Sequence, residues 1–174
     1  MRINFYALRA IYFHEMDRFR RTLIQSLLSP VLSTSLYFIV FGSVIGDYVQ
    51  KIDGISYGSY IVPGLLMLTL LTQSISNTSF GIFFPKFNGT IYEILAAPIS
   101  TVEIVIAYVG AGATKTLIVA AVIFCTSLFF AEVNVKFPLL MIFLLILVAF
   151  TFALFGFLIG LLSKNFEQMS IIPT

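Results

Sequence analysis

Residues 137–163 read FPLLMIFLLILVAFTFALFGFLIGLLS, twenty-seven positions between Lys136 and Lys164 without a charge. A bilayer core about 30 Å thick is crossed by roughly 20 apolar residues of helix, so this stretch crosses once with residues to spare. Hydrocarbon offers no water to satisfy backbone N–H and C=O groups, so the segment must be helical. A membrane barrel instead shows segments of about ten residues with alternating hydrophobicity. This run is continuous.

The same punctuation by charge recurs upstream. Twenty-five uncharged residues separate Arg21 from Asp47, and thirty-two separate Asp53 from Lys86. Eleven lie between Glu103 and Lys115, and sixteen more between Lys115 and Glu132. The chain therefore reads as an all-α integral membrane protein, with spans expected at 24–46, 60–84, 112–131 and 138–162. Composition agrees: of 174 residues, 59% are hydrophobic and 10% charged, against about 25% charged in an ordinary soluble domain. Eighteen charges cannot cover the surface of a water-soluble globule of this make-up, which excludes a soluble enzyme and a disordered tail. A net charge of +2 leaves no basic face, so no nucleic-acid partner is expected. The single cysteine, Cys125, has no partner for a disulfide and reads as a small buried apolar residue.

The first long apolar run begins only after residue 21, is too long for a signal-peptide core and is followed by no A-x-A-like site. Residue 1 is thus read as the start of the mature chain. Arg2, Arg9, Arg18, Arg20 and Arg21 precede the first span, Lys86 follows the second and Lys164 the fourth, whereas the other two loops carry only Lys51 and Lys136. Excess Lys and Arg marks the cytoplasmic side, so both termini are expected inside. Within 5–21, Phe5, Leu8, Ile11, Tyr12 and Phe19 fall near helical spacing with charges between them, the pattern of an amphipathic helix lying on the inner leaflet. His14 has no second histidine and reads as part of that interface.

Pro30 is expected to kink the first span near Ser26–Pro30. The second span carries Thr69, Thr72, Gln73, Ser74, Ser76, Asn77, Thr78 and Ser79. Such a stripe glues helices together or lines a solute path; both readings stand, and Thr72, Gln73, Ser76 and Asn77 are the candidate wall. After it comes PKFNGTIYEILAAPIS, residues 85–100. Asn88-Gly89 signals a turn, Thr90 is the expected N-cap with Glu93 its capping-box partner, and Pro98 stops the helix. Ile91, Ile94 and Leu95 form an apolar face. From the residues alone this short helix either rests on the membrane or docks on a cytoplasmic partner.

Gly110-Ala111-Gly112-Ala113-Thr114-Lys115-Thr116 superficially resembles a phosphate loop, but Thr114 stands where the glycine before the lysine is required. Its small residues read as a close-packing surface, with Lys115 expected to snorkel to the inner surface. No catalytic constellation or paired intramembrane carboxylate is legible, so no catalytic residue, metal or cofactor is assigned to the chain. An ion-coupled carrier usually keeps ionisable groups at the midplane, and only Lys115 comes near. That reading and a non-transporting scaffold remain the alternatives.

In order along the chain, Glu15-Met16-Asp17-Arg18-Phe19-Arg20, Pro30 through Phe41-Gly42-Ser43-Val44-Ile45-Gly46, Tyr60-Ile61-Val62-Pro63-Gly64-Leu65, Lys86-Phe87 through Thr90 to Pro98, and Gly110, Gly112 with Lys115 resemble the permease subunit of ABC-2 type transporters. The resemblance implies export driven by a separate cytoplasmic ATPase that holds ATP and Mg. It also implies a second copy of the permease and a bacterial inner-membrane location. Residues 87–98 become the coupling helix that docks on the ATPase, with Phe87, Gly89, Thr90, Glu93, Leu95 and Pro98 as its residues. Glu93 is the strongest candidate among them. The family has six spans, so Ser170–Thr174 is expected to lead into a fifth, and the chain to be a fragment that does not transport alone.

Overall fold

Uncharged runs of this length have one hydrogen-bonded solution in lipid, and the computed structural model adopts it. It describes residues 4–45, 51–52, 55–131, 133 and 135–171. Helix α1 spans Phe5–Arg21, and α2 spans Leu23–Tyr37 before passing into a π-helical segment at Phe38–Ile45. A two-residue antiparallel pair, β1 (Lys51–Ile52) with β2 (Ile55–Ser56), precedes α3 (Tyr57–Asn88). Then follow α4 (Ile91–Ala96), α5 (Thr101–Phe130), α6 (Pro138–Leu162) and α7 (Phe166–Ile171). Among the described residues, four helices are long and apolar enough to cross a membrane: Leu23–Phe41, Tyr57–Asn88, Thr101–Phe130 and Pro138–Leu162. The chain is an all-α membrane protein. Gly46, which closes the first span's motif, and residues 172–174 lie outside the described residues.

Two helices are longer than the sequence expectation, and capping explains one of them. The third long helix starts at Thr101 rather than 112 because Ser100 Oγ accepts from Glu103 N while the Glu103 carboxylate accepts from Ser100 N, a complete capping box. Helix α3 passes through Pro63 and Pro85 and ends only at Asn88. At 1.5 Å per residue, α3 and α5 are about 48 and 45 Å long, some 15 Å more than a bilayer core. Relative to the expected spans, α5 gains eleven residues and α3 four at the ends joined by α4, and α3 gains three at its start. Pro30 is likewise housed in unbroken α2; the departure from α geometry comes later, at Phe38.

Helix α3 packs against α5 and α6, and small residues set the distance. Ala149, Ala153, Gly156 and Gly160 of α6 form one buried stripe facing α3. A Cβ at Gly156 would stand 2.5 Å from the Ile75 carbonyl oxygen, and one at Gly160 2.5 Å from that of Ser79. The two backbones therefore touch, as helices in lipid do when dispersion rather than water drives their association. Ser74 Oγ donates to the Ala149 carbonyl across the same seam at 2.6 Å. On α5, a Cβ at Gly112 would run into the Thr78 side chain, so Gly112 of the 110–116 stretch serves packing. Gly156→Leu is expected to separate α3 from α6 and lower the thermal midpoint in detergent sharply, whereas Leu154→Ala on the exposed side of α6 leaves it nearly unchanged. Equal midpoints for the two would contradict the seam.

Helix α1 follows α5 in the same direction. Asn4 N donates to Glu103, Tyr12 Oη to Thr114 Oγ1 and Lys115 Nζ to Glu15, and Phe19 packs with Val119 and Ile123. Its buried side chains, Glu15 and Phe19, thus face protein rather than lipid. His14 is exposed. Cys125 is exposed as well, a correction to the buried reading: it faces away from the packed side of α5.

Candidate functional site

The projecting corner is built from a left-handed stop, one short helix and a proline. Gly89 takes φ +80°, the αL geometry that closes α3 and that side chains with a Cβ adopt poorly. Ala97 is extended with ψ 153°, as steric contact with Pro98 demands, so α4 ends at Ala96. Thr90 does not cap. It sits in the αR region with no side-chain hydrogen bond, because the chain leaves Gly89 already turning and Tyr92 N finds the Gly89 carbonyl instead. The capping box expected at Thr90–Glu93 occurs at Ser100–Glu103, a visible S-x-x-E signal assigned one helix too early.

Ile91 and Ile94 turn inward and pack on the core cluster. Glu93 points out, and so do Tyr92 and Leu95, which are 73% and 60% exposed. Tyr92 and Leu95 stand three residues apart on one face, which sequence reading did not single out for Tyr92. Phe87 is not on α4. It lies in the last turn of α3, and its ring meets Phe83 at 6.1 Å and Phe166 of α7 at 5.0 Å. Lys86 beside it donates from Nζ to the carbonyls of Leu161 and Ser163, at 2.6 and 2.9 Å. It thereby satisfies the last carbonyls of α6 and opposes that helix's negative end.

The four candidate path residues separate into two places. Thr72 and Gln73 border a groove of about 320 Å³ against Pro30, Thr34 and Tyr37 of α2. Thr72 Oγ1 donates to the Leu68 carbonyl of its own helix at 3.0 Å. Ser76 and Asn77, one turn on, border a different cavity of about 410 Å³ between α1, α3 and α5, shared with Arg18, Phe19, Phe80 and Lys115. Asn77 Nδ2 reaches Thr116 Oγ1 at 3.4 Å. Of the rest of the stripe, Ser74 and Thr78 are buried in helix contacts, while Thr69 joins the lining of the groove and Ser79 that of the cavity.

Lys115 does not snorkel. It is 4% exposed, and its Nζ stands 2.7 Å from Glu15 Oε2, which also takes Arg18 at 2.9 Å. A buried ammonium needs a partner more than it needs the membrane surface, and α1 brings one to it. Arg18 also lies over the Phe80 ring, 5.4 Å from its centroid. Sequence reading missed this link because Glu15 and Lys115 are a hundred residues apart.

The model of the family described as ABC-2 type transporter matches residues 6–174. The chain is 37% identical over all 174 residues to the inner membrane transport permease YadH of Escherichia coli K12, covering 68% of that protein's length. The proteins of the same name from E. coli O157:H7 and Shigella flexneri match with the same identity and coverage. No solved structure gives a significant match.

Proposed function

As the chain belongs to the ABC-2 type transporter family, and is thereby a transmembrane permease component of an ABC exporter, we propose that its α3–α4–α5 corner is where the ATPase subunit engages it. The observation that carries this reading is the pair of over-long helices. Two helices, each at least about 15 Å longer than a bilayer core, hold α4 between their ends, with Tyr92, Glu93 and Leu95 facing out. An apolar tyrosine–leucine face beside a carboxylate is a helix-in-groove ligand, and its inner isoleucines fix it to the rods. Gly89 and Pro98 set the angle of α4 and Phe87 braces α3 below it, while Thr90 does no more than join the two helices. Force applied to α4 then reaches α3 and α5 through six residues and no long linker.

In this reading ATP and Mg bind the ATPase subunit, the corner lies in the cytoplasm with both ends of the chain, and two permeases work together. The distribution of Lys and Arg supports that orientation. The ion-coupled alternative rested on Lys115, which is paired with the Glu15 carboxylate of α1. The polar groove at Thr72 and Gln73 and the cavity at Ser76 and Asn77 are the candidate surfaces for solute.

One labelling experiment tests orientation and docking together. In a Cys125→Ser background, Tyr92→Cys in inside-out vesicles is expected to react with a membrane-impermeant maleimide, and to slow at least tenfold when the ATPase subunit is added. Phe137→Cys, at the opposite loop, reacts only in right-side-out vesicles. Labelling of Tyr92→Cys from the outer face, or a rate indifferent to the ATPase, would refute the assignment.

A further inference from the structure

The cavity between α1, α3 and α5 has a property that a docking corner does not require: two cations on its wall share a single carboxylate. Its volume is about 410 Å³. Arg18 and Lys115 line it, and the carboxylate that both share, Glu15 Oε2, lies behind them and not on the wall. Two cations therefore divide one anion. Lys115 is 4% exposed and has three N–H donors, of which the Glu15 contact uses one. Arg18 has five, held in a planar fork that suits phosphate, and the Phe80 ring orients it. Ser76 and Asn77 add hydroxyl and amide groups on the facing side, and Phe19 and Phe80 supply an apolar flank.

The level of the cavity is read by taking Tyr57, the first residue of α3, as the outer edge of the core. From Tyr57 at the start of α3 to Asn77 is twenty residues, about 30 Å, the thickness of one bilayer core. The first uncharged run also begins there, directly after Arg21. The opening thus stands where acyl chains meet headgroups on the side of α4. A basic pocket between membrane helices at that depth selects anionic headgroups.

We infer that this cavity binds an anionic phospholipid-type amphiphile, its phosphate on Arg18 and Lys115 and its chain along Phe19 and Phe80. The inference shares Ser76 and Asn77 with the proposed solute surface but not the docking corner, and it is measured at equilibrium with no ATPase present. The test is native mass spectrometry of the full-length protein in detergent, titrated with dioctanoyl phosphatidylglycerol, dioctanoyl phosphatidylcholine and inorganic phosphate. The anionic lipid is expected to bind at least tenfold more tightly than the zwitterionic one, with inorganic phosphate a weak competitor. Arg18→Gln is expected to abolish the preference. Ser76→Leu, which fills the cavity and leaves the ion pairs in place, lowers affinity for both lipids. Equal affinity for the two lipids, or an unchanged preference in Arg18→Gln, overturns the inference. Phosphate competing as well as the lipid would show a soluble anion site and overturn the amphiphile. Wild-type affinity in Ser76→Leu at an unchanged melting temperature would place lipid elsewhere on the protein.

Discussion

Leu95→Arg in the full-length protein is expected to cut ATP-driven transport at least tenfold while leaving the permease folded and the isolated ATPase rate unchanged. Leu95 is 60% exposed, so its side chain contributes little to the fold of the chain alone. Buried in a partner's groove, a leucine is worth about 1.5–3 kcal/mol, and a factor of ten corresponds to about 1.4 kcal/mol. The arginine also leaves a charge to be desolvated where the leucine sat. Ile91 and Ile94 still hold α4 to the core in the variant, so its helix is not the casualty. Glu93→Arg is expected to act in the same direction by reversing charge beside the same face, whereas Leu95→Met, similar in volume and apolarity, retains transport. The readouts are ATPase stimulation in proteoliposomes and co-isolation of the two subunits. Full coupling in Leu95→Arg would remove α4 from the interface.

What the sequence made legible was governed by local rules. The gaps between Arg21, Asp47, Asp53, Lys86, Lys136 and Lys164 locate the long helices because hydrocarbon tolerates no other backbone and no stray charge. Gly89 and Pro98 marked the limits of α4 because each has a steric preference of its own. The errors came where two local signals competed or where the deciding contact was distant. Thr90–Glu93 and Ser100–Glu103 both fit a capping box, and only the second lacks a preceding αL glycine that already turns the chain. Pro85 would stop many helices, yet α3 continues to Asn88. Lys86 looked like a topology marker and is also the cap of α6, seventy-five residues away. The polar stripe of α3 read as one surface, and residues four apart do share a helix face, but one turn along that face the neighbour changes: Thr72 and Gln73 meet α2, while Ser76 and Asn77 meet the cavity beside α1. No periodicity reveals which neighbour each pair meets.

The Glu15–Lys115 pair carries the second large effect, and its asymmetry is the informative part. Glu15 serves two cations, so the two single substitutions are not equivalent. Lys115→Met leaves Glu15 still bound to Arg18 at 2.9 Å. Glu15→Gln leaves a buried ammonium with a neutral acceptor and a second cation beside it. Stranding one member of a buried pair costs about 3–5 kcal/mol; Glu15→Gln is expected near the upper end and Lys115→Met at or below the lower. The double variant is expected to recover most of the loss, because a methionine in place of Lys115 needs no counter-ion and Arg18, 27% exposed, keeps access to solvent. Equilibrium unfolding in mixed micelles measures all four corners of that cycle, and a coupling above about 1 kcal/mol is expected for residues in direct contact. Protease cleavage within α1 gives the structural readout, since this pair and the Tyr12–Thr114 bond are the polar ties between α1 and the middle of α5. Two single variants of equal cost with no recovery in the double would mean that α1 is held by its apolar contacts at Phe19, and that the charges are incidental to it.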